Sequence, residues 1–238
     1  MHKVMTMVMA NSGSRERTFI WRVYREAMPV LLITVLAELF AGTLLLQLDI
    51  AFDSLLGLFI LIPGLMQLRG NISTSLAQRL GSGTHLGTIS WKHGLNEPLR
   101  ANIKAAIYLT IIMSIALAIG AWCVSIGIQI IAPSEGIPLL LSHFLIIALI
   151  TALLASAFQV TITVTVSLLA HARGYDPDNI TIPIVATLGD IITIGCLIFA
   201  IHVVVQVFLS IGALSDIITL GCLVLAIGAV FMFIRLKR

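Results

Sequence analysis

Apolar residues run along this chain in long blocks, each closed by a short polar break. The first block is about Met28–Leu48, and an Asp49–Asp53 turn follows it. The second, about Ser54–Leu80, is interrupted by Pro63-Gly64 and turns polar from Gln67 onward. A loop with Gly, His and Lys covers Gly81–Arg100. Beyond it come blocks at Ala101–Ala132, Leu139–Ala170, Ile180–Leu209 and Ser215–Arg235. Most approach or exceed the roughly 20 residues that an α-helix needs to cross a bilayer core about 30 Å thick. The Thr161–Val166 stretch alternates like a strand. An isolated strand in lipid leaves its backbone unpaired, so the expectation there is helix. The pattern predicts an all-α polytopic membrane bundle of about six spans. Residues 1–25 form a tail and short amphipathic lead-in, and 26–238 the transmembrane domain.

Composition supports this reading. Of 238 residues, 59% are hydrophobic and 11% charged, with mean hydropathy +1.08. A soluble domain draws only about 45–50% of its residues from the apolar set. The net charge of +3 does not point to nucleic acid, because Lys and Arg cluster at block ends. With six spans, Arg15 to Arg25, the loop bearing Arg79, Lys92, Arg100 and Lys104, the loop bearing Arg173, and Arg235 to Arg238 all fall on one side. The opposite turns carry no Lys or Arg. The positive-inside rule then places both termini in the cytoplasm of a multi-pass plasma-membrane protein. Cys123, Cys196 and Cys222 lie in apolar runs without a CxxC pair, which predicts buried structural thiols. The Met1–Ala10 stretch does not have the form of a signal peptide.

The candidate chemistry gathers in the fifth block. From a helix start near Ile180, Asp190 lies about ten residues in, roughly 15 Å deep at 1.5 Å per residue. A carboxylate at mid-membrane depth is costly and normally faces a bundle interior or a hydrated path. Asn179, Pro183, Thr187 and Asp190 share one helical face. In the second block Asn71, Ser75 and Gln78 also share a face, and Pro63-Gly64 could free carbonyls beside a cavity. Glu38 in the first block is a further acidic candidate. The Ser156, Gln159, Thr163, Ser167 stripe is explained equally well by interhelical hydrogen bonds. His143, His171 and His202 fall near block ends, as interfacial histidines do. Leu188–Ile201 matches Leu214–Ile227 at ten of fourteen positions, but Asp216 begins its block and suits a helix cap. No nucleophile–base pair, HExxH or phosphate loop suggests an enzyme, and no resident cofactor is expected. Carboxylate, amide, hydroxyl and carbonyl oxygens suit Mg²⁺ or Ca²⁺. One carboxylate per chain is meagre for a divalent ion, and a two-fold dimer doubles it.

At these residues the chain resembles the membrane domain of MgtE-type magnesium channels and transporters and of their eukaryotic solute-carrier relatives. Ile62-Pro63-Gly64-Leu65-Met66 followed by Gly70-Asn71 is similar to the family's proline-containing helix and glycine–asparagine signature. Asp176-Pro177-Asp178-Asn179, Pro183 and Leu188-Gly189-Asp190 resemble its fifth-helix signature, above all in the solute-carrier branch. The resemblance covers about Met28–Ile201.

It implies a pore at a two-fold axis, lined by the second and fifth helices of two units. Asp190 would match the metal-coordinating aspartate, with the Ala186 carbonyl one turn earlier and Thr187 and Asn71 as lining. Position 182 is Ile, so the polar ligand of the bacterial channels is missing there. The cytoplasmic regulatory domains are expected to be absent and a sixth helix present. The chain then reads as a half-transporter for Mg²⁺ or other divalent cations, acting as a homodimer or with a sister chain. The alternatives are an exchanger coupling Mg²⁺ to Na⁺ or H⁺, with Glu38 carrying the second charge, or a non-transporting membrane subunit.

Overall fold

The computed structural model describes residues 2–46, 58–89, 96–131, 140–175 and 177–204, together with Gly221, Val224 and Gly228. Among the described residues five helices run in order: α1 His2–Leu45, α2 Leu58–His85, α3 Glu97–Ile131, α4 Leu141–Ala172 and α5 Pro177–Val203. No strand occurs among the described residues, and Thr161–Val166 lies inside α4. Segments of α1, α3, α4 and α5 are long and apolar enough to cross a membrane: Ala27–Leu45, Glu97–Ile131, Leu141–Ala172 and Ile180–Val203. The polar second half keeps α2 out of that set, yet α2 packs against α3, α4 and α5. The chain is thus an all-α membrane bundle. The expected sixth span, including Asp216 and Cys222, lies outside the described residues but for three isolated helical positions.

Helix α4 makes its most extensive contact with α5, while α1 packs chiefly on α5. Two apolar cores lie at different heights in the bundle. One joins Leu61 and Leu65 of α2, Ile115 and Ala118 of α3, Phe144 and Ile147 of α4, and Leu197 and Ile201 of α5. The other joins Leu76 and Leu80 to Leu99, Ala106 and Leu168. Between them runs a layer of buried polar side chains: Arg69, Ser73, Thr110, Ser114, Ser156 and Gln159.

Helix ends follow ordinary capping chemistry. The Leu99 N–H donates to Asn96 Oδ1 at 3.2 Å, and Asn96 Nδ2 donates to the Thr88 carbonyl at 2.7 Å. Helix α4 begins with the Leu140 N–H donating to His143 Nδ1 at 3.1 Å. His143 thus caps the start of α4. Gly174 follows α4 at φ +76°, a left-handed geometry that favours glycine, and the Tyr175 N–H reaches back to the Ala170 carbonyl at 3.0 Å. His85 and His171 meet edge-on with ring centroids 5.7 Å apart, so the ends of α2 and α4 lie together. The basic residues Arg79 and Arg173 belong to that end, as do Arg100 and Lys104 near the start of α3.

Three expectations change. The lead-in before Arg25 is one helix with the first span, since α1 runs unbroken from His2 through Pro29. Cys123 faces outward instead of into the core, whereas Cys196 is half-buried. Finally, α2 is not interrupted at Pro63-Gly64. Pro63, at the sixth position, removes one i→i−4 donor, yet the helix continues through it. The glycine serves packing: a Cβ at residue 64 would meet the Leu117 side chain of α3.

Gly64→Val is expected to lower stability by about 1–3 kcal/mol through overpacking. Adding Leu117→Ala should recover much of that loss, read as thermal unfolding in detergent.

Candidate cation site and a buried arginine layer

The two acids deepest in the helices come together. Asp190, half-buried on α5, has the Glu38 side chain of α1 beside it, close enough to share a hydrogen bond. The helical repeat explains the pairing on each side. Leu31, Thr34, Val35, Glu38 and Leu39 occupy one strip of α1, and Ile182, Pro183, Ala186 and Thr187 face them from α5. These residues line a groove of about 480 Å³ between the helices. Thr187 is buried at its base, and Glu38 lies on its open side. Two carboxylates in contact repel unless a proton or a cation lies between them. Among the described residues no third His, Cys, Asp or Glu joins a cluster.

Four of the sequence-derived candidates thus share one place: Asp190, Glu38, Ala186 and Thr187. Asn71 is elsewhere. It is exposed on α2, where its Oδ1 accepts from Gln67 Nε2 at 3.1 Å. With Pro63, Gln67 and Gln78 it forms an outward polar stripe on a helix whose other faces are packed. The Asn179 side chain lies outside the described residues.

Arg69 is an unexpected member of the interior. Its side chain is 1% exposed, in the polar layer between the two cores. One guanidinium nitrogen, Nη1, donates to the Ala152 carbonyl at 3.1 Å, to Thr110 Oγ1 at 3.3 Å and to Ser156 Oγ. Nη2 donates to Gln159 Oε1 at 2.5 Å, and Ser73 Oγ donates to the same oxygen at 2.8 Å. Nε has no partner. All these acceptors are neutral. A signal was present in the sequence: Arg69 falls in phase with Leu58, Leu61, Leu65, Leu76 and Leu80, the buried stripe of α2.

The layer reaches the acid pair's helix. With Gln159 Oε1 occupied by two donors, its Nε2 is turned to Gly189, where an added Cβ would collide with it. The Gly189 carbonyl accepts from Thr193 Oγ1 at 2.6 Å. Cys196, two turns further along α5, lies near Arg69. The stripe of Ser156 and Gln159 is therefore the partner set of a buried cation.

Fold and site together define a polytopic helical membrane protein with paired acids on facing helices. A family model described as "MgtE: Divalent cation transporter" matches residues 62–201, and the chain belongs to that family. It is also similar to solute carrier family 41 member 2 of Mus musculus, 29% identical over 154 residues, which cover 61% of this chain and 25% of that protein. The Homo sapiens protein of the same name is 28% identical with the same coverage. Solute carrier family 41 member 3 of Mus musculus is 27% identical over 146 residues, 61% of this chain and 29% of that protein. The chain spans about a quarter of the length of these relatives. No solved structure matches it.

Gly189→Ala is expected to push the Gln159 amide off its partners and cost about 1–3 kcal/mol. Gln159→Ala should relieve the clash in the double variant, so the two effects would not add in thermal unfolding. Additive losses would mean that the two residues do not touch.

Proposed function

We propose that this chain carries Mg²⁺, or a divalent cation of similar hardness, across the membrane, with the ion held between Asp190 and Glu38. The observation behind this reading is the meeting of two carboxyl groups, one half-buried on α5 and one exposed on α1, at a groove between apolar helices. A divalent cation offsets their repulsion and accepts oxygen ligands at once. Because Mg²⁺ sheds water reluctantly, two carboxylates with bound waters form an adequate site. The Thr187 hydroxyl and the Ala186 carbonyl, about one turn before Asp190, are the further oxygens on offer in a groove otherwise lined by apolar side chains. Mg²⁺ is the substrate here. The reading needs no resident cofactor and no enzymatic step.

The exposed stripe of Gln67, Asn71 and Gln78 supports a dimer. Amide side chains facing hydrocarbon would be expensive, whereas a second copy or a water-filled path satisfies them. We place Asn71 on that interface, next to a sister chain or an identical one. The basic end of the bundle faces the cytoplasm of a plasma membrane in this arrangement.

A second reading has its own support. Two carboxylates side by side repel unless a proton or a cation lies between them, so a proton and a divalent ion would compete for the same place. This favours Mg²⁺/H⁺ exchange over a simple channel. The rival without transport, a membrane subunit that only binds a partner, leaves the acid pair without a role.

Uptake into proteoliposomes with a trapped Mg²⁺-sensitive dye separates these readings. Saturable flux is expected in wild type, falling at least about tenfold in Asp190→Asn and in Glu38→Gln with assembly intact. An opposing pH gradient should drive that flux if the carrier is an exchanger. Equal flux in all three proteins would exclude the site.

A further inference from the structure

The buried arginine has a feature that a purely structural role does not require. Arg69 keeps its positive charge, yet among the described residues no carboxylate pairs with it, and all its hydrogen-bond acceptors are neutral. Helix knitting at this height could be done by neutral hydroxyls and amides, at a far smaller desolvation cost than a buried ion imposes. The fold keeps the ion and holds it against α5. Gln159 bridges the guanidinium to Gly189, the residue before Asp190. Cys196 on the same helix also lies near Arg69.

A cation path has an opposite requirement to a storage site. Binding must be strong enough for the ion to enter and weak enough for it to leave. Two carboxylates in a low-dielectric bundle hold a divalent ion tightly, and a fixed positive charge behind them loosens that hold. Resting on the cation-site reading given above, we propose that Arg69 is the fixed counter-charge of the Glu38–Asp190 site, which weakens cation binding and so permits release. Gln159 carries neutral oxygen to Arg69 where a glutamate would cancel its charge. The choice of amide over acid is what preserves the net positive field at α5.

Three variants separate a charge from a structural tie. Arg69→Gln removes the charge and weakens the layer. Gln159→Glu also cancels the charge, but it adds an ionic partner and should strengthen the layer. Arg69→Lys retains the charge. Each is reconstituted as the full chain in proteoliposomes with trapped dye, and Mg²⁺ uptake gives KM and maximal rate. Mg²⁺-dependent thermal stabilisation in detergent reads binding without transport.

Across one helix diameter, about 10 Å, a unit charge shifts the binding of a divalent ion about tenfold even through an effective dielectric of about 40. Arg69→Gln and Gln159→Glu are therefore both expected to lower the KM for Mg²⁺ about tenfold and to slow maximal uptake, although their effects on thermal stability are opposite. Arg69→Lys should keep the wild-type KM. A structural tie alone predicts lost stability and rate in Arg69→Gln, with KM unmoved. If Arg69→Gln does not fold, Gln159→Glu decides the matter by the same KM and stabilisation readings. Unchanged KM in the folded variants, with flux still lost in Asp190→Asn, would overturn the counter-charge and leave the site standing. Uptake that survives Asp190→Asn would overturn the site and the counter-charge together.

Discussion

A guanidinium in the middle of an apolar bundle has to be solvated by the protein itself, and much of this fold is arranged to do so. Arg69 of α2 is met by Thr110 of α3 and by Ala152, Ser156 and Gln159 of α4. Three helices must therefore hold one relative height, because water is not available to replace a lost partner. Apolar packing on either side has little such discrimination, since lipid tails are as apolar as leucine. The two cores supply close contact, and the polar layer between them supplies register. Gln159 extends that register to α5 through its contact with Gly189.

The acid pair depends on this frame from the other side of α5. Asp190 turns away from the arginine layer toward α1, and Glu38 meets it there. One helix thus carries a buried amide contact on one face and a carboxylate on another, a single residue apart in sequence. A rotation of α5 that served one would disturb the other. The fold consequently couples packing in the bundle to the geometry of the groove.

Much of this was legible in the sequence, for physical reasons that particular residues show. Hydropathy located α1, α3, α4 and α5 because the bilayer demands long apolar runs. Asp190 stood out because a lone carboxylate in such a run is costly. The pairing with Glu38 was not legible: the two residues lie on separate helices, and no local periodicity records which helix faces α1. Arg69 was hidden differently. It sits where α2 turns polar, next to exposed Gln67 and Asn71, so that the whole segment read as one hydrated lining. Only the phase of Leu61, Leu65, Leu76 and Leu80 separates its buried position from its exposed neighbours. Pro63-Gly64 misled for a related reason. A proline–glycine pair signals a break, yet here the glycine admits Leu117 and the helix persists.

The most direct test of the cation site is anomalous diffraction from crystals of the protein grown in Mn²⁺, a divalent ion that takes similar oxygen ligands and can be located by its own scattering. A peak between the Asp190 and Glu38 carboxylates is the expected result. Well-ordered anomalous peaks elsewhere in the bundle, with none in the groove between α1 and α5, would contradict it.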